Sequence, residues 1–299
     1  RKDYAYEDGA LKHVYSFDLT GDATLTEEQK REKSTIVYNA DGTITIAANQ
    51  TGRYPVHFHH VWGPVAAPPN GYQTTFVGNV IDGSPRWGVA IHDSHFGLFQ
   101  DNVVVGAKGA GIVLEQGNEY GDLVEGNFVA DSYGRLRPGD NDATGRTTDI
   151  AFQGNGIYLA ASVWSTIRGN VTAAISDAGL ALDFRKFFPI SVLLPRFQGS
   201  DMTTGNTVTG RRDRLGYTGA SDHTTYNASR GIETWTIPRG SGVNANRVRN
   251  LVLWHINRYG VVVNGTTQVF GDYSTLRFEG LTVRGDVTRL GLMLNSPQN

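Results

Sequence analysis

Along the middle of the chain a five-residue frame recurs: glycine, apolar, any residue, apolar, polar. It appears as Gly88 to His92 (GVAIH), Gly111 to Glu115 (GIVLE), Gly156 to Ala160 (GIYLA), Gly179 to Asp183 (GLALD) and Gly260 to Asn264 (GVVVN). The first two copies are 23 residues apart, as are the third and fourth. The gap of 45 between the second and third contains a polar stretch, Arg135 to Thr148 (RLRPGDNDATGRTT), and so reads as one repeat plus an insertion. An asparagine series keeps the same phase: Asn79, Asn102, Asn127 and Asn170. Asn tolerates left-handed backbone angles and bonds side chain to side chain. One Asn at a fixed place per repeat therefore predicts a stacked turn with an Asn ladder. Alternating apolar residues in such short runs predict strands, and no long helical period competes with them.

A repeat of about 23 residues built from strands and tight turns predicts an all-β solenoid, a single-stranded right-handed parallel β-helix with inserted loops. The Leu-x-x-Leu-x-Leu frame of a leucine-rich repeat is absent, and a propeller blade needs roughly 40 residues. Residues 1–299 read as one domain. Its clearest rungs are 34–130 and 150–184, 187–240 is an irregular insertion, and rungs resume over 248–299. Asp41-Gly42 inside Ser34 to Ala47 predicts a hairpin. Thr24 to Lys33 is charged and fits a short helix or an exposed loop.

Aligning Val56-His57-Phe58-His59 with the frame sorts side chains by face. Val56, Val89, Ile112, Ile157 and Leu180 form one inward column; Phe58, Ile91, Leu114, Leu159 and Leu182 form another. The outward column reads His59, His92, Glu115, Ala160, Asp183, Asn264. Parallel rungs stack about 4.8 Å apart, so His59, His92 and Glu115 become neighbours, with His57 on the same face and Asp183 roughly 10 Å beyond Glu115. Two histidines and a carboxylate in register, with a further histidine beside them, predict a functional cluster. His95 either reaches this cluster or makes a turn hydrogen bond. His60 and Asp93 either orient the cluster from behind or begin the turn, the turn being the simpler role. Trp62, Trp87 and Tyr158 are either sugar platforms or packing. Arg53, Arg86, Lys108, Arg185 and Lys186 lie near the column, and of these Arg53, Arg185 and Lys186, with Trp87, are candidates to hold an acidic sugar.

Composition narrows the chemistry. The 299 residues include 37 Gly and no Cys, which removes disulfides and thiolate metal sites and fits a secreted protein. The net charge of −2 provides no global field for nucleic acid. No apolar run is long enough to span a membrane. The chain starts at Arg1 without a signal peptide and reads as a piece excised from a larger protein.

The residues YPVHFHH, then GVAIHDSHFG, then DNVVVGAKGAGIVLEQGNEYGDLVEGN carry a resemblance. Over about residues 52–130 the chain resembles the parallel β-helix region of the cell-migration-inducing and transmembrane hyaluronidase family, which fibrocystin-like proteins share. The resemblance implies a secreted or cell-surface protein acting on a glycosaminoglycan or similar polysaccharide, with His57, His59, His92, Glu115 and Glu119 at the matching positions. Hydrolysis of a glycosidic bond would use Glu115 and Asp183 as paired carboxyls with His59 and His92 beside them, since inverting enzymes keep such pairs about 6.5 to 9.5 Å apart. A lyase acting on uronic acids would use His59 or His92 as base and Arg185 or Lys186 to neutralise the carboxylate. His57, His59, His92 and Glu115 also suit a divalent metal, zinc or another first-row ion ahead of calcium. A non-catalytic carbohydrate-binding or adhesion module with a structural metal is the remaining class.

Overall fold

The computed structural model describes residues 54–59, 61, 71–84, 86–115, 117, 119–134, 151, 153–162, 164–184, 217–235, 246–264, 275–284 and 290–295, together with strand segments 2–7, 10–15, 36–38, 44–46, 191–194 and 206–209. All regular secondary structure among these residues is strand. The chain divides into two compact units, Arg1–Arg53 and Tyr54–Asn299. The first contains two antiparallel pairs. Ile36–Tyr38 with Ile44–Ile46 is the hairpin that Asp41-Gly42 predicts. Lys2–Glu7 with Ala10–Tyr15 flanks a second Asp-Gly, Asp8-Gly9. Thr24 to Lys33 and Arg135 to Thr148 lie outside the described residues.

The second unit is a parallel β-helix with three strand-bearing sides. The first side runs from Val56–His59 through Val89–His92, Ile112–Leu114 and Ile157–Ala160 to the ends of Val171–Asp183, Thr224–Trp235 and Val252–Asn264, and closes with Leu290–Asn295. The second side stacks Val80–Ser84, Val103–Ala107, Phe128–Ser132, the beginnings of those same three long strands, and Thr282–Arg284. The third is the seven-stranded sheet from Thr74–Val77 to Leu276–Glu279. Ile112 pairs directly with Ile157, so the gap of 45 residues is one rung with an insertion.

Three sequence features fix this coil. The inward columns fill one continuous core that includes Val89, Ile91, Ile112, Leu114, Ile157, Leu159, Leu180 and Leu182, each at most 1% exposed. The frame glycine sits where rungs touch: a Cβ on Gly111 would lie 2.2 Å from Val129 and 3.0 Å from the Gly156 carbonyl. The Asn ladder closes the corner between the third and second sides. Asn79 donates to Asn102, Asn102 to Asn127 and Asn127 to Asn170, side chain to side chain, at 2.9–3.1 Å. The left-handed residue at this corner is the one before each Asn, with φ of 70° at Gly78, 53° at Asp101, 65° at Gly126 and 64° at Gly169. Asn serves here for its hydrogen bonds and not for its backbone.

The insertion expected over 187–240 is shorter. Ala220–Ser221 and Thr224–Trp235 form a complete rung on Trp164–Arg168 and Val171–Asp183. The frame is disguised there because Thr234 occupies an inward slot held by Leu182 and Val263 on the neighbouring rungs. An antiparallel pair, Ser191–Leu194 with Asn206–Thr209, precedes it.

Candidate functional site

Strand parity and rung register bring the histidines together. His59 pairs with His92 across adjacent strands, and the Glu115 amide donates to the Ile91 carbonyl at 2.9 Å, which extends the register by one rung. His92 Nδ1 lies 2.9 Å from Glu115 Oε2. This bond is the main reason the His92 imidazole holds its proton above the ordinary histidine range; partial burial opposes it, and the charges of Glu115, Asp93 and Glu119 reinforce it. The His59 ring stacks on His92 at 4.7 Å and 8°. His57 sits edge-on to both, 5.0 Å from His59 and 6.0 Å from His92.

The donor atoms of His57, His92 and Glu115 all lie within 4.8 Å of one another, a spacing suited to one small cation. His59 was expected in that set. As a column neighbour of His92 it stacks face to face instead, and the converging donor is His57.

A buried carboxylate supports the cluster from below. Glu119, 0% exposed, accepts the Asp93 and Gly117 amides at 3.3 and 2.8 Å and the Ser162 hydroxyl. Asp93 follows His92 in the left-handed region, φ 50°, so Glu119 pins the turn that orients His92. Glu119 entered the sequence reading only through the family resemblance. His95 does not join the cluster. It is buried, its Nδ1 accepts the Tyr120 amide at 3.2 Å, and burial pushes its pKa down to about 4.

The outward face of this side is not open along its length. His57 and His59 are exposed, but Ala90, Val113, Tyr158, Ala160 and Ala181 further along are all buried. Trp87, 3% exposed, stacks on Tyr54 at 4.7 Å and donates Nε1 to the Ala151 carbonyl at 3.1 Å. Its ring, like that of buried Tyr158, is packing and offers no open face to a sugar. Asp183 keeps its register two rungs beyond Glu115, but it is 5% exposed and accepts the Tyr158 hydroxyl. Arg86 and Lys108 are half-buried. Arg53, His60, Trp62, Arg185 and Lys186 lie outside the described residues.

A second polar group on this side was not foreseen. Arg230 Nη1 bridges Asp177 at 3.0 Å and Glu233 at 2.8 Å, and Asn264 donates to Glu233 at 2.8 Å. Burial raises the pKa of both carboxyls, and Arg230 opposes it. The signal was the frame-like Gly231-Ile-Glu-Thr-Trp235, masked by Thr234.

Among the described residues no helix is long and apolar enough to cross a membrane. No curated protein and no solved structure matches the chain. Residues 45–192 match the family model described as CEMIP beta-helix, just under half of the chain. That span contains every strand that places His57, His59, His92 and Glu115, and over it the chain is similar to the CEMIP beta-helix.

Proposed function

We propose that the chain is a secreted or cell-surface enzyme that hydrolyses glycosidic bonds in an acidic, hyaluronan-like polysaccharide at the His57, His59, His92 and Glu115 cluster. The observation that carries this reading is the 2.9 Å contact between His92 and Glu115, with His57 converging on both across three rungs. A histidine whose hold on its proton is strengthened by a carboxylate at 2.9 Å can protonate a leaving oxygen, with that carboxylate orienting the ring. To His59, exposed and stacked on His92, we assign contact with the sugar. We assign the acid work to His92, backed by Glu115, and not to a Glu115–Asp183 pair, because Asp183 is buried and already engaged by Tyr158. Arg53, Arg185 and Lys186 remain our candidates for the sugar carboxylates. The likeness of residues 45–192 to the CEMIP beta-helix supports the substrate class. In a second reading His57, His92 and Glu115 would hold a divalent first-row ion in place of the proton shared by His92 and Glu115, and the ion would supply Lewis acidity at that point.

The test is the chain length of hyaluronan after incubation with wild type and with His92→Ala, each with and without a chelator. Wild type is expected to shorten the polymer, and His92→Ala to slow this at least about a hundredfold, the scale of lost acid–base catalysis. Loss of activity in chelator would add the metal. A product absorbing in the near ultraviolet would convert the reading to a lyase. Hyaluronan left intact by folded wild type would sink it as the substrate, and intact chains of other acidic polysaccharides would leave a binding module.

A further inference from the structure

The three sides of the coil present different surfaces. The first is largely covered beyond its histidines. The third is mixed: one outward column begins at Val77 and continues through Gln100, Glu125, Arg168, Ser221, Arg249 and Glu279, with Arg168 paired to Glu125 at 2.7 Å. The second is apolar and open. Its outward residues fall into two columns over seven rungs. One reads Val80, Val103, Phe128, Val171, Thr224, Val252, Thr282; the other reads Asp82, Val105, Ala130, Ala173, Tyr226, Trp254, Arg284. Val80 is 72% exposed and Trp254 49%, and Phe128, Val171, Tyr226 and Val252 are exposed as well. The only charges in the two columns are at opposite ends, Asp82 on the first rung and Arg284 on the last.

We propose that this side is the interface of a two-fold dimer in which two copies pack face to face with their helix axes antiparallel. A two-fold axis through the fourth rung sets each rung against its mirror-numbered partner and each column against itself. Asp82 then meets Arg284 of the second copy, twice per dimer. Large residues meet small ones: Trp254 faces Val105, Tyr226 faces Ala130, and Phe128 faces Thr224. Val171 and Ala173, both small, meet their own copies on the axis. The parallel alternative brings Asp82 near Asp82 and Arg284 near Arg284, which repels at both ends. A contiguous apolar patch on an otherwise polar surface marks an interface, and an isologous one must be complementary to itself. A sugar platform fits these residues less well, because the Tyr226 and Trp254 rings stand at 67° to each other and so form no single flat face.

The test is the mass of the whole chain in solution by sedimentation at concentrations from about 1 to about 200 μM, the range for an interface of modest area. Wild type is expected to move from 32.6 kDa towards twice that value. Asp82→Arg alone and Arg284→Asp alone should each weaken association at least tenfold, and the two together should restore it. Both positions are exposed, so folding is not at stake. Ala173→Glu, which sets two carboxylates against each other on the axis, should leave a monomer at every concentration. A wild type that stays monomeric to the top of the range, or a dimer that Asp82→Arg leaves unchanged, overturns the proposal. A monomer whose affinity for hyaluronan falls on Trp254→Glu overturns it in favour of a sugar surface.

Discussion

Replacing His223 by Asn is expected to flatten the acid side of the stability profile by about 3 kcal/mol between pH 7 and pH 4. His223 occupies the ladder position on the rung after Asn170, since Val171 pairs with Thr224. It is fully enclosed, its Nε2 lies 3.3 Å from the Thr172 hydroxyl, and among the described residues its Nδ1 has no hydrogen-bond partner. Burial pushes its pKa from 6.5 down to about 4. The folded chain therefore keeps this imidazole neutral while the unfolded chain protonates it. Stability from this group is complete above pH 6.5, falls as the pH drops through the window, and levels off below about 4, which at 1.36 kcal/mol per unit gives about 3 kcal/mol. His95 adds a contribution of the same sign. Other groups work in the opposite direction. Burial raises the pKa of Asp122, Asp177 and Glu233, so the folded chain retains protons there and loses stability as the pH rises through those values. His92 also acts in that direction, because its bond to Glu115 is strongest when it is charged. The whole-protein profile mixes these signs. The difference between wild type and His223→Asn, followed by urea unfolding across the window, isolates one proton. Profiles that run parallel from pH 7 to 4 would show that His223 is not held neutral.

The β-helix was legible because each rung repeats its own constraints in the sequence. Gly111 has to be glycine where a Cβ would strike Val129, and Asn127 recurs because its neighbours above and below are Asn102 and Asn170. Strand parity likewise placed His59, His92 and Glu115 in one column. Ring orientation was not legible. Parity puts His59 and His92 side by side equally well whether they converge on an ion or stack, and the choice lies in side-chain torsions. Nor was the covering of the outward face, because it depends on contacts such as Trp87 to Ala151, which are 64 residues apart and outside the repeat. The rung at Thr224–Trp235 escaped for a simpler reason: one inward threonine breaks the apolar alternation that marks a strand.

These observations separate what the repeat specifies from what is added to it. The inward columns, the frame glycines and the ladder recur because every rung needs them. The histidine cluster occurs once, at the first three strands of one side, where no stacking rule calls for it. Glu119 connects the two levels. It is a buried carboxylate whose acceptor capacity is spent on the turns flanking His92 and Glu115, so a structural residue sets the orientation of a chemical one. The open apolar side is a further departure from what a solitary solenoid needs, since the neighbouring third side shows that outward positions readily carry charge.

Asn127→Ala is expected to cost about 4 kcal/mol, against less than about 1 kcal/mol for Asn79→Ala, although both remove one asparagine from the same ladder. The difference lies in what each side chain leaves behind. Asn127 Oδ1 accepts both the backbone amide and the side-chain amide of Asn102, at 3.0 and 2.9 Å. Its Nδ2 donates to Asn170 Oδ1 and to the Phe99 and Glu125 carbonyls. Alanine strands two donors on Asn102, which is 1% exposed, and water cannot reach them without opening the corner. Each such buried, unpaired group costs about 1–3 kcal/mol. Asn79 is half-buried and only donates, to Val77 and Asn102, so its removal leaves acceptors that solvent or Asn102's remaining bonds can satisfy. Because a solenoid is held together rung by rung, a break at Asn127 separates the rungs before it from those after it, and the unfolding transition should broaden or split as well as shift. Urea unfolding followed by circular dichroism for the two variants provides the comparison. Equal shifts for Asn79→Ala and Asn127→Ala would mean that the ladder contributes through turn geometry alone and not through its buried hydrogen bonds.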